Sequence, residues 1–98
     1  MTIFVKTGSD ATAVAIRLAR AFTKRTKILR CGYHEWCVEV KGGIPRKRYE
    51  DVYEFHFNDL DSLEDLMSSH GNETAAIILT PFGRPLAQKL EEPKPGFL

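Results

Sequence analysis

Apolar residues Ile3, Phe4 and Val5 form a short run that gives way to Thr7-Gly8-Ser9-Asp10. From there Ala11, Val14, Ala15, Leu18 and Phe22 recur at helical spacing, while Arg17, Arg20 and Lys24 share another face. The pattern predicts a short buried strand over 2–6 and an amphipathic helix over 10–23. A second strand is expected over 27–31. Gly42-Gly43 and Pro45 forbid a long regular element between 32 and 48. A short strand is expected over 53–57. Asp61 then reads as an N-cap with Glu64 three residues on, followed by Leu63, Leu66 and Met67, with Gly71 as the stop. The unbroken apolar run over 75–79 is that of a strand covered on both faces. Beyond Pro81 the chain carries Pro85, Pro93 and Pro95 and shows no terminating element.

Strand, helix, strand, long loop, strand, helix, strand is the order of an α/β unit with a parallel sheet and crossover helices. No repeat, low-complexity tract or linker divides the chain, so 1–98 is read as one domain. Lys and Arg number 14 against 13 Asp and Glu, a net charge of +1 that gives no reason to expect nucleic acid or an acidic membrane as partner. A hydrophobic content of 43% belongs to a folded chain. No apolar run approaches membrane-spanning length, and the N-terminus lacks a basic-then-apolar signal pattern. Two cysteines, Cys31 and Cys37, are too few for a disulfide framework, so reduced thiols in a cytoplasmic protein are expected.

The chemistry is concentrated at the first strand-to-helix turn. A chain passing from Gly8-Ser9 directly into a helix aims backbone N–H groups and the positive end of the helix dipole at one place, which suits a phosphate. The competing reading is that Ser9 or Asp10 simply caps the helix. Cys31, His34, Cys37 and His56 can be written as metal ligands, but the cysteine spacing is not that of the usual tight pair. Lys41-Gly42-Gly43-Ile44-Pro45-Arg46-Lys47-Arg48 is a basic loop offset by Glu50 and Asp51, and reads as a solvated loop.

The motif Thr7-Gly8-Ser9-Asp10-Ala11 followed by Ala15-Ile16-Arg17-Leu18-Ala19-Arg20-Ala21 resembles the cofactor-phosphate segment of class III aminotransferases, the glutamate-1-semialdehyde aminomutase-like members above all. The resemblance continues through Lys27-Ile28-Leu29, Gly32-Tyr33-His34, Gly43-Ile44-Pro45, Asn58-Asp59-Leu60 and 75–79, and ends at Pro95-Gly96-Phe97-Leu98. It implies pyridoxal 5′-phosphate (PLP) as cofactor and amino acids or keto acids as substrates. The implied fold is α/β, a partial parallel sheet with crossover helices: a fragment of the fold-type I PLP-dependent transferase large domain. Residues 1–98 would then be a single incomplete domain from its central part. By the same resemblance Gly8 and Ser9 hold the PLP phosphate, Tyr33 lies on the cofactor ring, and His34 follows it in the family's Tyr-His pair.

The chain departs from the family in three ways. After Tyr33-His34 it passes directly to Glu35-Trp36-Cys37, through a shorter loop than its relatives have. Thr80 stands where many relatives carry Glu before a Pro. None of Lys6, Lys24, Lys27, Lys41, Lys47, Lys89 and Lys94 matches the lysine that bears the cofactor, and no Asp or Glu matches the ring-nitrogen partner, so the chain alone is expected to lack turnover. In the family the first strand is separated from the second by strands formed later in the chain. Residues 2–6 are therefore expected to repack beside 75–79 or another strand, or to pair in a homo-oligomer or with a complementing polypeptide. The alternative function is a small non-catalytic α/β module that binds a phosphorylated ligand or a partner protein.

Overall fold

A run of Ile28, Leu29, Arg30 and Cys31 with every residue buried can be satisfied only in the middle of a sheet, and that is where the chain puts it. The computed structural model describes residues 2–32, 43, 45, 47, 50–81 and 92–98. Its elements are α1 (Gly8–Thr23), β1 (Lys27–Cys31), β2 (Val52–Glu54), α2 (Leu60–His70), one turn of 3-10 helix (Gly71–Glu73) and β3 (Thr74–Leu79). The three strands form a parallel sheet in the order β2-β1-β3. Leu29 stands opposite Tyr53 on one side and Ile77 on the other. The expected parallel α/β architecture is the one observed.

One face of the sheet holds the core. Leu29, Cys31 and Phe55 are buried together, with Tyr53, Phe57, Leu79, Phe97 and the α2 residues Leu63 and Leu66 packed against them. Strand alternation turns Ile28 and Arg30 to the other face, and both are buried there. α1 packs along β3 and buries Ile16.

The helices begin where their caps allow. Thr7, in extended backbone, accepts a hydrogen bond on Oγ1 from the Asp10 N–H at 3.1 Å, so α1 starts at Gly8, two residues before the expected boundary. α2 is capped by Asp59 and not by Asp61. The Asp59 carboxylate accepts from the Ser62 N–H, and the Ser62 hydroxyl donates back to the Asp59 carbonyl at 2.7 Å. Gly71 is right-handed, so α2 tightens into the 3-10 turn and does not stop in a left-handed cap.

Three expectations are corrected. Residues 2–6 form no strand: Ile3 and Val5 are exposed and Phe4 is 93% exposed, and no repacking beside β3 takes place. Three apolar residues in a row specify no sheet edge to pair with, and a strand without a partner gains no ladder bonds. β2 ends at Glu54, although the Phe55 N–H still donates to the Arg30 carbonyl at 3.0 Å. β3 is only half buried along most of its length, because it lies at an edge of the described sheet.

The amino-terminal edge of the sheet is fastened by charge. Lys27 Nζ donates to the Glu73 carboxylate and lies 3.0 Å from His70 Nδ1, whose ring stacks on Tyr53 at 4.3 Å. The hydrogen bond between Lys27 and Glu73 raises the lysine pKa and lowers that of the glutamate. The depressed carboxyl contributes stability above its unfolded value near ~4.3, and loses it as pH falls through the folded value. The raised ammonium contributes below about 10.4 and loses that contribution as pH rises through its folded value. The stability difference between the parent and Glu73→Gln is therefore expected to be flat between about pH 5 and 10, and to be lost as pH falls through the lowered folded value of the Glu73 carboxyl, as read in urea melts.

Candidate functional site

In open parallel sheets ligands bind beyond the carboxyl ends of the strands, so the position of α1 relative to that edge decides what its N-terminus can do. The C-terminal end of α1 is tied to the amino edge. Arg20 Nε donates to the Thr26 carbonyl at 2.8 Å, and Arg25 Nη1 reaches the carbonyl of Thr74, the first residue of β3, at 3.4 Å. A helix of 16 residues rises roughly 24 Å, whereas five-residue β1 rises about 17 Å. Running back along β3 from the amino edge, α1 carries its first turn to the carboxyl edge and past it.

Gly8, Ser9 and Asp10 make up that first turn. The Asp10 N–H is taken by Thr7 Oγ1, and the Ala11 N–H begins the intrahelical ladder on the Thr7 carbonyl at 3.1 Å. The amides of Gly8 and Ser9 thus lie ahead of the first i→i−4 bond, at the positive end of the dipole. Thr7 performs the capping that the bland reading assigned to Ser9 or Asp10. Among the described residues nothing lies within 4 Å of a Cβ built on Gly8, and its backbone is not in the left-handed region. Neither strain nor internal packing requires a glycine there. The missing side chain leaves the backbone there open to approach among the described residues. Asp10 is the one acidic residue of this turn. Its charge stabilises the helix and opposes an anion.

The end of β1 is built around a second glycine. Gly32 has φ +90°, and a Cβ there would stand 2.7 Å from Thr80 Oγ1 and 2.9 Å from Thr80 Cβ. The Thr80 N–H donates to the Cys31 carbonyl at 3.0 Å. Thr80, the residue that departs from the family's Glu, therefore sits directly on the turn that leads to Tyr33. The buried guanidinium of Arg30 donates to the Gly32 carbonyl at 2.9 Å and pairs with Glu54 at 3.2 Å, fixing the same turn from beneath. Burial pushes the Cys31 thiol pKa up, and Glu54 adds to the shift while Arg30 opposes it. The thiol is kept protonated and inert.

The carboxyl end of β2 has its own clamp. Asn58, at φ +61°, donates from Nδ2 to the Glu92 carbonyl and accepts on Oδ1 from the Lys94 N–H at 2.7 Å. Phe97 then packs edge-on against Phe57, with ring centres 5.1 Å apart. Two separate motifs of the sequence resemblance, Asn58-Asp59-Leu60 and Pro95-Gly96-Phe97-Leu98, are thereby joined in space.

Of the residues expected in the site, Gly8 and Ser9 stand together at the α1 N-terminus. Tyr33 and His34 lie outside the described residues, although Gly32, their neighbour in sequence, ends at the same edge. Arg30, Glu54, Asn58 and Phe97 were not anticipated. Arg30 left one signal, a charge within the otherwise apolar segment Ile28-Leu29-Arg30-Cys31. Among the described residues no group of three or more His, Cys, Asp and Glu side chains is placed to hold a metal ion. No helix among them is long and apolar enough to cross a membrane.

The chain is 57% identical over 101 residues to the 3-aminobutyryl-CoA aminotransferase of Cloacimonas acidaminovorans, a match that takes in all of this chain and 24% of that enzyme. It is 36% identical over 115 residues to the glutamate-1-semialdehyde 2,1-aminomutase of Hyperthermus butylicus, again along its whole length and over 26% of the relative. Among solved structures, the FumI protein of Sphingopyxis sp. MTA144, in its PLP internal aldimine form, superposes with a TM-score of 0.84 at 34% identity, over 94% of this chain and 23% of FumI. An omega-transaminase from Sphaerobacter thermophilus gives 0.74 at 27% identity, over 93% of this chain and 26% of its own. No family model matches the chain.

The fold is that of PLP-dependent transaminases. The chain is homologous throughout its length to a segment of the aminotransferases and glutamate-1-semialdehyde aminomutases, and spans about a quarter of the length of the curated relatives it matches.

Proposed function

We propose that this chain is the cofactor-phosphate segment of a class III aminotransferase or aminomutase, from the central part of its large domain. In this reading the Gly8 and Ser9 amides and the Ser9 hydroxyl hold the phosphate of PLP, Tyr33 lies on its ring and His34 lines the same site. The observation that carries the reading is the first turn of α1, capped by Thr7, open at Gly8 and brought to the carboxyl edge of the sheet. PLP, when bound, supplies an electron sink for moving an amino group between amino acid and keto acid. This chain's own residues contribute binding and orientation. Two backbone donors and a hydroxyl fix the phosphate, and Arg30 and Thr80 fix the turn that carries Tyr33.

The 98-residue polypeptide by itself is proposed to have no transaminase turnover, because none of its lysines matches the cofactor-bearing position. A complementing polypeptide would have to supply that group. The buried reduced thiol of Cys31 fits a cytoplasmic setting. Similarity along the entire chain favours an aminotransferase segment over a stand-alone phosphate-binding module.

The test uses pyridoxine 5′-phosphate, which has no aldehyde and so reports phosphate contacts without lysine adducts. A few charge-assisted hydrogen bonds predict a Kd on the order of millimolar for the isolated chain. Ser9→Asp, which sets a carboxylate where the phosphate would lie, is expected to abolish binding in a fluorescence titration. Gly8→Ala is expected to weaken it while leaving the fold intact, since its Cβ enters open space. Equal affinity in the parent and Ser9→Asp would refute the site.

A further inference from the structure

Arg30 carries a charge into the middle of the sheet. Its side chain is 8% exposed, on the central strand, and a guanidinium is not deprotonated inside proteins. A buried cation therefore needs an anion, and taking that anion away leaves an uncompensated charge. Among the described residues the carboxylate that meets it is that of Glu54, at 3.2 Å. Glu54 stands directly opposite Arg30 in the ladder between β1 and β2. The next N–H along the chain, that of Phe55, donates to the Arg30 carbonyl. The carboxylate is thus presented from a fixed backbone, although its own side chain is 59% exposed.

The two arms of Arg30 reach in different directions. Nη2 is held by Glu54, while Nη1 donates to the Gly32 carbonyl at 2.9 Å, where the chain leaves β1. Because the guanidinium is a rigid plane, holding one nitrogen sets the direction of the other. The Gly32 carbonyl accordingly takes its orientation from β2, through Glu54 and Arg30. The first turn of α1 takes its place from β3, along which the helix packs.

We infer that Glu54 is a positioning residue for the ring-binding half of the proposed cofactor site: through Arg30 it sets the direction in which the chain passes from Gly32 to Tyr33. The phosphate half, at Gly8 and Ser9, does not depend on it. The inference rests on the reading of Tyr33 as the residue that lies on the cofactor ring. It divides that site into two parts referenced to different strands.

The test uses the full ¹⁵N-labelled chain. Glu54→Met keeps the volume and loses the acceptor, whereas Glu54→Gln keeps an acceptor without the charge. Glu73→Gln, which breaks the ion pair at the amino edge of the sheet, controls for a general loss of stability. In the ligand-free chain Glu54→Met is expected to shift the Gly32 amide resonance and lower its heteronuclear Overhauser effect, with Gly8 and Ser9 unmoved. Glu54→Gln is expected to show the same change at smaller size, which serves as the readout if Glu54→Met does not fold. Glu73→Gln is expected to leave all three amides in place. Pyridoxine 5′-phosphate is expected to bind Glu54→Met roughly two- to tenfold more weakly than the parent, the range that a lost aromatic contact gives. Inorganic phosphate is expected to bind both alike.

A Gly32 amide that both Glu54 variants leave in place would overturn the inference. So would a Gly32 shift with unchanged affinity for pyridoxine 5′-phosphate, which would make the pair a brace of the fold alone. Should the parent bind neither probe, the phosphate site falls, and the ligand-free Gly32 comparison still decides for or against Glu54.

Discussion

Phe55→Ala is expected to remove about 3–5 kcal/mol of stability, a large part of the roughly 5–15 kcal/mol that a domain of this size possesses. Phe55 is 1% exposed and sits in the core cluster of the described residues, with Leu29 and Cys31 from β1 and with Leu63 and Leu66 of α2 packed against it. Its ring also lies 6.5 Å from that of Phe97, so it joins the C-terminal segment to the sheet. A small domain has few other layers to absorb the loss. The expected readout is a fall of roughly 2–3 M in the urea midpoint, with a loss of Phe97 side-chain dispersion by nuclear magnetic resonance. Phe55→Leu, which keeps much of the volume, is expected to lose under half as much. A midpoint for Phe55→Ala within error of the parent would mean that the core lies elsewhere.

Gly32→Ala is the second large effect, and it acts on the site as well as the fold. Two separate penalties meet at this residue. A φ of +90° is strained for any L side chain, at about 1–2 kcal/mol, and the new methyl would overlap Thr80 at 2.7–2.9 Å. The total is expected to reach roughly 2–4 kcal/mol. A double-mutant cycle with Thr80→Gly separates them. Removing the Thr80 side chain relieves the overlap but not the backbone strain, so about half the loss should be recovered. The residues beyond the turn should shift too, and pyridoxine 5′-phosphate binding by the chain should weaken less than stability does, because Gly8 and Ser9 are on another element. Additivity of the two substitutions would show that Gly32 and Thr80 do not touch.

Why the sheet was legible and the N-terminal segment was not follows from what each depends on. β1 could be placed at 27–31 because a mostly apolar segment, Ile28-Leu29-Arg30-Cys31, bounded by a basic cluster and a glycine has one stable home, the middle of a parallel sheet. The run Ile3-Phe4-Val5 looks as strand-like locally, but its fate depends on a partner edge that a local pattern does not contain. The α1 stripe misleads for a related reason. Periodicity locates an apolar face correctly but cannot say which body covers it, and here the sheet takes the face around Ile16. Caps were misplaced by two residues at both helices, since Thr7 and Asp59 are no better capping residues than their neighbours until backbone direction is known. The proposed roles of Gly8 and Ser9 could be read from the sequence because that chemistry is written in consecutive residues. Arg30, Asn58 and Phe97 escaped because their partners, Gly32 and Glu54, Lys94, and Phe57, are brought together by the fold.

The opening expectation of a phosphate site at a strand-to-helix turn has changed in one respect. The turn is preceded by exposed extended chain and not by a paired strand, so the position of the proposed anion site is set by α1 and its contact with β3. That makes the amides of Gly8 and Ser9 the direct reporters of the central claim. Titrating the ¹⁵N-labelled chain with pyridoxine 5′-phosphate, and in parallel with pyridoxine, is expected to shift the Gly8 and Ser9 amide resonances most, and only with the phosphorylated compound. Shifts that are equal for both compounds, or that leave Gly8 and Ser9 in place, would contradict it.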